Sequence, residues 1–178
     1  SASHSKLREC IIPDFMNLED YSDQLTGFDA CFYCAGISSR GLNEAAYSRI
    51  TYDTTLNFAS KLATLNPQMV FGHISGSHTD STEKGKRMWA RVKGRTENEL
   101  MKLPFKQGFA FRPGAMKYTE GQKNVSRMNK FLSWLYPAFK TLFPNTANTV
   151  RQLGQAMIYS AQYGYEKKVV EVSDIKVL

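Results

Sequence analysis

No hydrophobic run in this 178-residue sequence approaches the roughly 20 residues of a membrane span, and the N-terminal stretch has no apolar core of a secretion signal. The cytoplasm is therefore the default location, with no membrane partner. Cysteine is scarce as well. Three thiols, Cys10, Cys31 and Cys34, cannot all pair, which argues against a disulfide framework. The spacing in CFYC would suit zinc or a redox dithiol, yet Cys10, His4, His73 and His78 supply no second closely spaced pair. The pair also sits in an apolar, strand-like run rather than at a helix start. Packing thiols and no metal are expected. Acidic groups are in the minority, 16 against 23 Lys and Arg, for a formal charge of +7. That balance raises nucleic acid as a partner, but the densest basic stretch, KGKRMWARVKGR, lacks the interleaved aromatics of a stacking surface, so nucleic acid is not favoured.

What is present is a core. The apolar fraction is 42%, with eleven Phe, nine Tyr and two Trp, and 178 residues suit one domain that buries about two thirds of its unfolded surface. The pattern alternates strand and helix. RECIIPDF reads as a short strand ending at Asp14 and Phe15, and NLEDYSDQL as a helix capped at Asn17 and stopped at Gly27. FDACFYCAG and QMVFGHIS read as strands buried on both faces. A long helix runs from about Asn43 to Leu65, a second carries Trp89 and Lys93, and FAFRPGAM is a strand that breaks at Pro113 and Gly114. The aromatic-rich segment 125–143 is helical with a break at Pro137. TVRQLGQAMIYSAQYG is a helix, and KKVVEVSD a terminal strand. On the second helix the 3.6 period puts Met88, Trp89, Val92, Leu100 and Leu103 on one arc, with Arg87 and Arg91 turned to solvent and Lys93 at the arc's margin. The expected fold is α/β: a parallel sheet with helices on both faces.

PDFMNLEDY, GFDACFYCAG, HISGS, RVKG and FAFRPG, in that order, are similar to segments of the atypical short-chain dehydrogenase/reductase family. These are Rossmann-type NAD(P)-binding proteins, and they include NAD-dependent epimerase/dehydratase-like relatives. The resemblance covers nearly the whole chain from Ile11 onward. It implies a doubly wound, three-layered sheet, NAD or NADP as cofactor, and a small carbonyl or quinone as substrate. It places Asp14 and Phe15 beside the adenine. Cys34, Ala35 and Gly36 fall on the strand-end turn beside the adenosine ribose, and Arg112, Pro113 and Gly114 on the turn at the nicotinamide end. Ser75 takes the position of a carbonyl-polarising serine, and Lys93 that of the lysine on the nicotinamide ribose. A homo-oligomer is compatible with that reading.

Two departures qualify it. Family members place a tyrosine one turn before the lysine, because the alkoxide formed on hydride transfer needs a proton. Here that position is Trp89, whose indole has none to give at neutral pH. Tyr33, Tyr118 or a water near Ser75 are the alternative donors. The glycine-rich turn that binds pyrophosphate in a Rossmann domain is also missing, since Gly72, Gly76, Gly85 and Gly94 are scattered. The resemblance thus implies that residues 1–178 form a single Rossmann-like domain that is N-terminally incomplete and lacks its first βαβ unit. A catalytically impaired module that senses a cofactor or binds a protein is the alternative to an oxidoreductase.

Overall fold

The computed structural model describes residues 4–117 and 146–178. Its centre is a parallel sheet of four strands: β1 (Ala30–Tyr33), β2 (Val70–Ile74), β3 (Gln107–Phe111) and β6 (Val169–Val170), in that spatial order. Order in space follows order in sequence. The reversal that defines a doubly wound sheet is therefore not present among the described strands. The outer edge of β1 has no strand neighbour among them. A separate parallel pair joins β4 (Ala115–Lys117) to β5 (Ala147–Thr149).

Alternation along the strands builds two cores. Tyr33 and Phe71 point to one face, where they meet Phe58, Ala59 and Leu62 of α2 (Thr54–Leu65) and Leu100 of α3 (Met88–Leu100). Val70, Phe109 and Phe111 point to the other, against Leu153, Ala156 and Met157 of α4 (Val150–Tyr163). Helices on both faces make three layers, as expected. Among the described residues no helix is long and apolar enough to cross a membrane.

Helix α2 continues from α1 (Glu44–Ser48), which begins where the Asn43 side chain accepts from the Ala46 N–H at 2.9 Å. Between α1 and α2, residues Arg49–Asp53 form a π turn, closed by the Thr54 N–H on the Arg49 carbonyl. The sequence gives no warning of this bulge. Asn66 follows α2 and ties three segments together. Its Oδ1 accepts from the Gly27 and Phe28 N–H groups at 2.7 and 3.0 Å, and its Nδ2 donates to the Leu25 carbonyl at 2.8 Å. Gly27 supplies the positive φ of 84° that the turn into β1 needs.

Several expectations are corrected. RECIIPDF forms no strand: with no neighbour to accept its backbone hydrogen bonds it runs as coil, and Ile11 lies 77% exposed. NLEDYSDQL is two single turns of 3-10 helix, Glu19–Tyr21 and Asp23–Leu25. Asn17 donates to the Asp14 carboxylate instead of capping a helix. KKVVEVSD contributes only Val169–Val170 to the sheet; Glu171 then caps α5 (Val172–Val177), with its N–H donating to Asp174 Oδ2 at 3.0 Å. On α3 the buried set is Ala90, Val92, Gly94, Thr96, Glu97 and Leu100, a wider face than the expected arc, and Leu103 lies beyond the helix end. Arg91 does not merely face solvent, since it pairs with Glu44 at 2.6 Å. Cys10 and Cys34 are exposed and only Cys31 is partly packed. The aromatic segment 125–143 and Tyr118 fall outside the described residues.

Candidate functional site

The carboxyl ends of β1 and β2 open into a cleft of ≈ 170 Å³ beneath the π turn. Five residues singled out in the sequence line it: Phe15, Tyr33, Ala35, Gly36 and Lys93. Phe15 is held there by its ring, stacked on Phe58 at 4.7 Å between centroids, and by its carbonyl, which accepts from Asn57 Nδ2 at 2.7 Å. Among the described residues, apart from its chain neighbours, nothing lies within 4 Å of where a Cβ on Gly36 would sit, so packing against them does not demand glycine there.

Lys93 reaches the cleft from α3, and its Nζ donates to the Ser75 carbonyl at 3.1 Å. That carbonyl is available because the chain has left β2 while the Ser75 N–H still donates to Phe111 O at 2.8 Å. The Lys93 amine is held below the usual lysine range, chiefly by burial and partly offset by Glu97. Trp89, one turn earlier, is half-buried and does not line the cleft.

Ser75 is buried, and its hydroxyl faces Thr79 Oγ1 at 2.9 Å, while Thr79 donates to the Gly76 carbonyl at 2.8 Å. It touches Lys93 through the main chain only, and it does not line the cleft. Asp14 is spent on a local turn, accepting from the Met16 N–H at 2.9 Å and from Asn17 Nδ2 at 2.7 Å. Cys34 is exposed, with its thiol directed at the Phe32 carbonyl at 3.4 Å.

The RPG turn is structural in its contacts. Arg112 is buried, donating to both oxygens of Glu97, to Glu171 at 3.0 Å and to Ser81 Oγ at 2.6 Å. The Pro113 carbonyl accepts from the Ser77 N–H at 2.9 Å. A Cβ on Gly114 would come within 2.0 Å of the Thr146 carbonyl, so the protein's own backbone requires glycine there. None of the three lines the cleft.

Apart from Tyr33, the rest of the lining escaped the sequence reading as a group. Tyr33, considered there only as a proton donor, lies opposite His73 in register, with ring centroids 5.8 Å apart. Its hydroxyl accepts from Thr55 Oγ1 at 3.2 Å, and burial raises its pKa, so it keeps its proton at neutral pH. Tyr47 is 1% exposed and is likewise raised by burial. Its phenol lies near the Thr51 hydroxyl, although no hydrogen-bond geometry is met. His73 is 2% exposed, with its pKa pushed down to about 3 by burial and then by Lys93, so the imidazole is neutral. Two signals were there to read: His73 alone inside an apolar strand, and Tyr47, Thr51 and Thr55 recurring every four residues along one helical face. Comparison with protein-family models finds no match for this chain, and comparison with curated proteins finds none either.

Proposed function

We propose that the chain is part of an NAD(P)-dependent oxidoreductase-like domain and that its cleft receives the sugar next to the nicotinamide. The observation that carries this reading is the Lys93 amine, fixed by the Ser75 carbonyl at 3.1 Å at the sheet's carboxyl edge and lining the cleft with Ala35 and Gly36. Ligands of open α/β sheets bind at that edge. The lining fits a ribose: an ammonium for its hydroxyls and a crevice open at Gly36, with Phe15, Ala35 and Gly36, which the resemblance sets on the adenosine side, meeting Lys93 in one cleft. These residues do not fit the dinucleotide's pyrophosphate, for which no glycine-rich turn is at hand. In this reading that turn belongs to a βαβ unit pairing with the free edge of β1. Such a unit would also supply the reversal in strand order.

When bound, the nicotinamide would supply a hydride. This chain's part is to orient the ribose through Lys93 and to offer a proton from a phenol that burial keeps protonated. Tyr33 is the phenol of the original candidates that lines the cleft. The reading is tested by titrating the protein with NADH and NADPH, following cofactor fluorescence. Saturable enhancement is expected, and its absence with both would overturn the reading.

A second reading has its own support. Trp89 carries no transferable proton, and the Ser75 hydroxyl is turned to Thr79, so the chain lacks two of the family's three catalytic side chains in working position. A cofactor-sensing module follows if cofactor binds but no small ketone or quinone is reduced. In that case Trp89→Tyr, judged by turnover, separates a missing acid from a missing site.

A further inference from the structure

Thr51 Oγ1 and both nitrogens of His73 are buried without a hydrogen-bond partner. Both residues line the same cleft. Proteins rarely leave such groups unsatisfied, because each orphaned donor or acceptor costs about 1–3 kcal/mol. The arrangement is not accidental to one side chain. Thr51 is brought there by the π turn, a rare distortion that recurs at functional sites. The Thr51 carbonyl faces Thr96 Oγ1 of α3 at 3.5 Å, so the bulge is packed against the helix that carries Lys93. His73 is brought there by β2, whose parity directs it to the face of Tyr33 and Lys93.

The chemistry narrows the occupant. A neutral imidazole offers one donor and one acceptor, and a threonine hydroxyl offers both. The imidazole is neutral and the hydroxyl uncharged, so neither favours an anion over a neutral group. A hydroxyl group is complementary to each, since it donates and accepts at once. The volume, ≈ 170 Å³, is below the ~300–1,000 Å³ of drug-sized pockets, so the cleft takes a small moiety.

We propose that His73 and Thr51 form a subsite for an uncharged hydroxyl-bearing moiety. The assignment rests on the oxidoreductase reading, but the subsite itself does not. The hydroxyl has two possible sources, a small hydroxy-ketone or the ribose of the dinucleotide.

The test uses hydroxyacetone, with acetone as the analogue lacking the hydroxyl, and NADH as the ribose source. Binding is followed by saturation-transfer NMR for the small molecules and by fluorescence for NADH. The proteins compared are the wild type, Thr51→Val and His73→Phe, the last two close in shape but unable to make the bonds. Hydroxyacetone should bind the wild type and acetone should not, and each substitution should weaken binding about tenfold. Loss of hydroxyacetone binding with NADH affinity unchanged assigns the hydroxyl to the substrate. Loss of NADH affinity instead assigns it to the ribose, and the subsite stands. Hydroxyacetone binding without any NADH binding keeps the subsite and removes the oxidoreductase reading. Both variants binding both probes like the wild type would overturn the proposal, as would no binding of either probe. Thermal midpoints provide a control independent of ligand: removing an orphaned imidazole should leave the midpoint of His73→Phe unchanged or raised. A fall comparable to that of a core cavity means His73 has a protein partner, which also overturns it.

Discussion

Lys93 and Arg112 are both cations at the carboxyl edge of the sheet, on the face covered by α2 and α3, yet they live in opposite electrostatic settings. Arg112 is saturated: Glu97, Glu171 and Ser81 take up its guanidinium, and against the downward pull of burial the two glutamates hold it above even its ordinary range. Lys93 meets one neutral carbonyl among the described residues and is shifted down by burial. A cation that the protein has neutralised is part of the scaffold. A cation left with spare donors beside an open cleft is available to a ligand. The RPG turn and the lysine look equally functional as sequence, and only their partners separate them.

The largest effect should come from breaking the saturated pair. Glu97→Ala leaves Arg112 buried and short of its main counterion and should cost about 3–5 kcal/mol in urea unfolding. A loss under 1 kcal/mol would mean Arg112 is not held as a clamp. Gly94→Ala should follow. A Cβ there would come 1.8 Å from the Asp80 carbonyl, pushing away the loop whose Ser81 meets Arg112, at a cost of about 2–3 kcal/mol.

Acid should then distinguish the Lys93 side of the site. The His73 pKa is depressed from 6.5 to about 3 in the folded state, so its contribution to stability is present above pH 6.5 and is lost as pH falls toward about 3. Tyr33 and Lys93 flank the imidazole: Tyr33, shifted up, keeps its proton throughout that window, and the Lys93 charge adds to the depression. The wild type should lose up to about 1.4 kcal/mol per pH unit more than His73→Phe below pH 6.5. Parallel pH profiles would show that His73 gains a proton without penalty. The smallest effect on stability belongs to Lys93→Met: exchanging a poorly paired, desolvated amine for an apolar chain of similar length should change unfolding by under about 1 kcal/mol.

The sequence discloses those features that depend on period and local chemistry. The margin position of Lys93 follows from helical spacing, and the end of β1 follows from an apolar run that stops at Ala35 and Gly36, whose place at a cofactor rests on the resemblance alone. Arg112 is opaque to such reading because its partners stand 15 and 59 residues away. The coil at residues 8–15 is opaque for a related reason: Ile11 and Ile12 have strand-forming side chains, but a strand also needs a neighbour, which the chain near them does not provide. His73 and Thr51 are the hardest to see. Their significance lies in having no partner, and that appears only once every other contact in the fold is placed.

The most direct test of the account is the dissociation constant for NADH and NADPH of Lys93→Met beside the wild type, with circular dichroism to verify the fold. Loss of a charged hydrogen bond to the sugar should raise that constant at least about tenfold while the spectrum stays the same. Equal affinity in the two proteins would contradict the claim that the Lys93 amine serves a bound sugar.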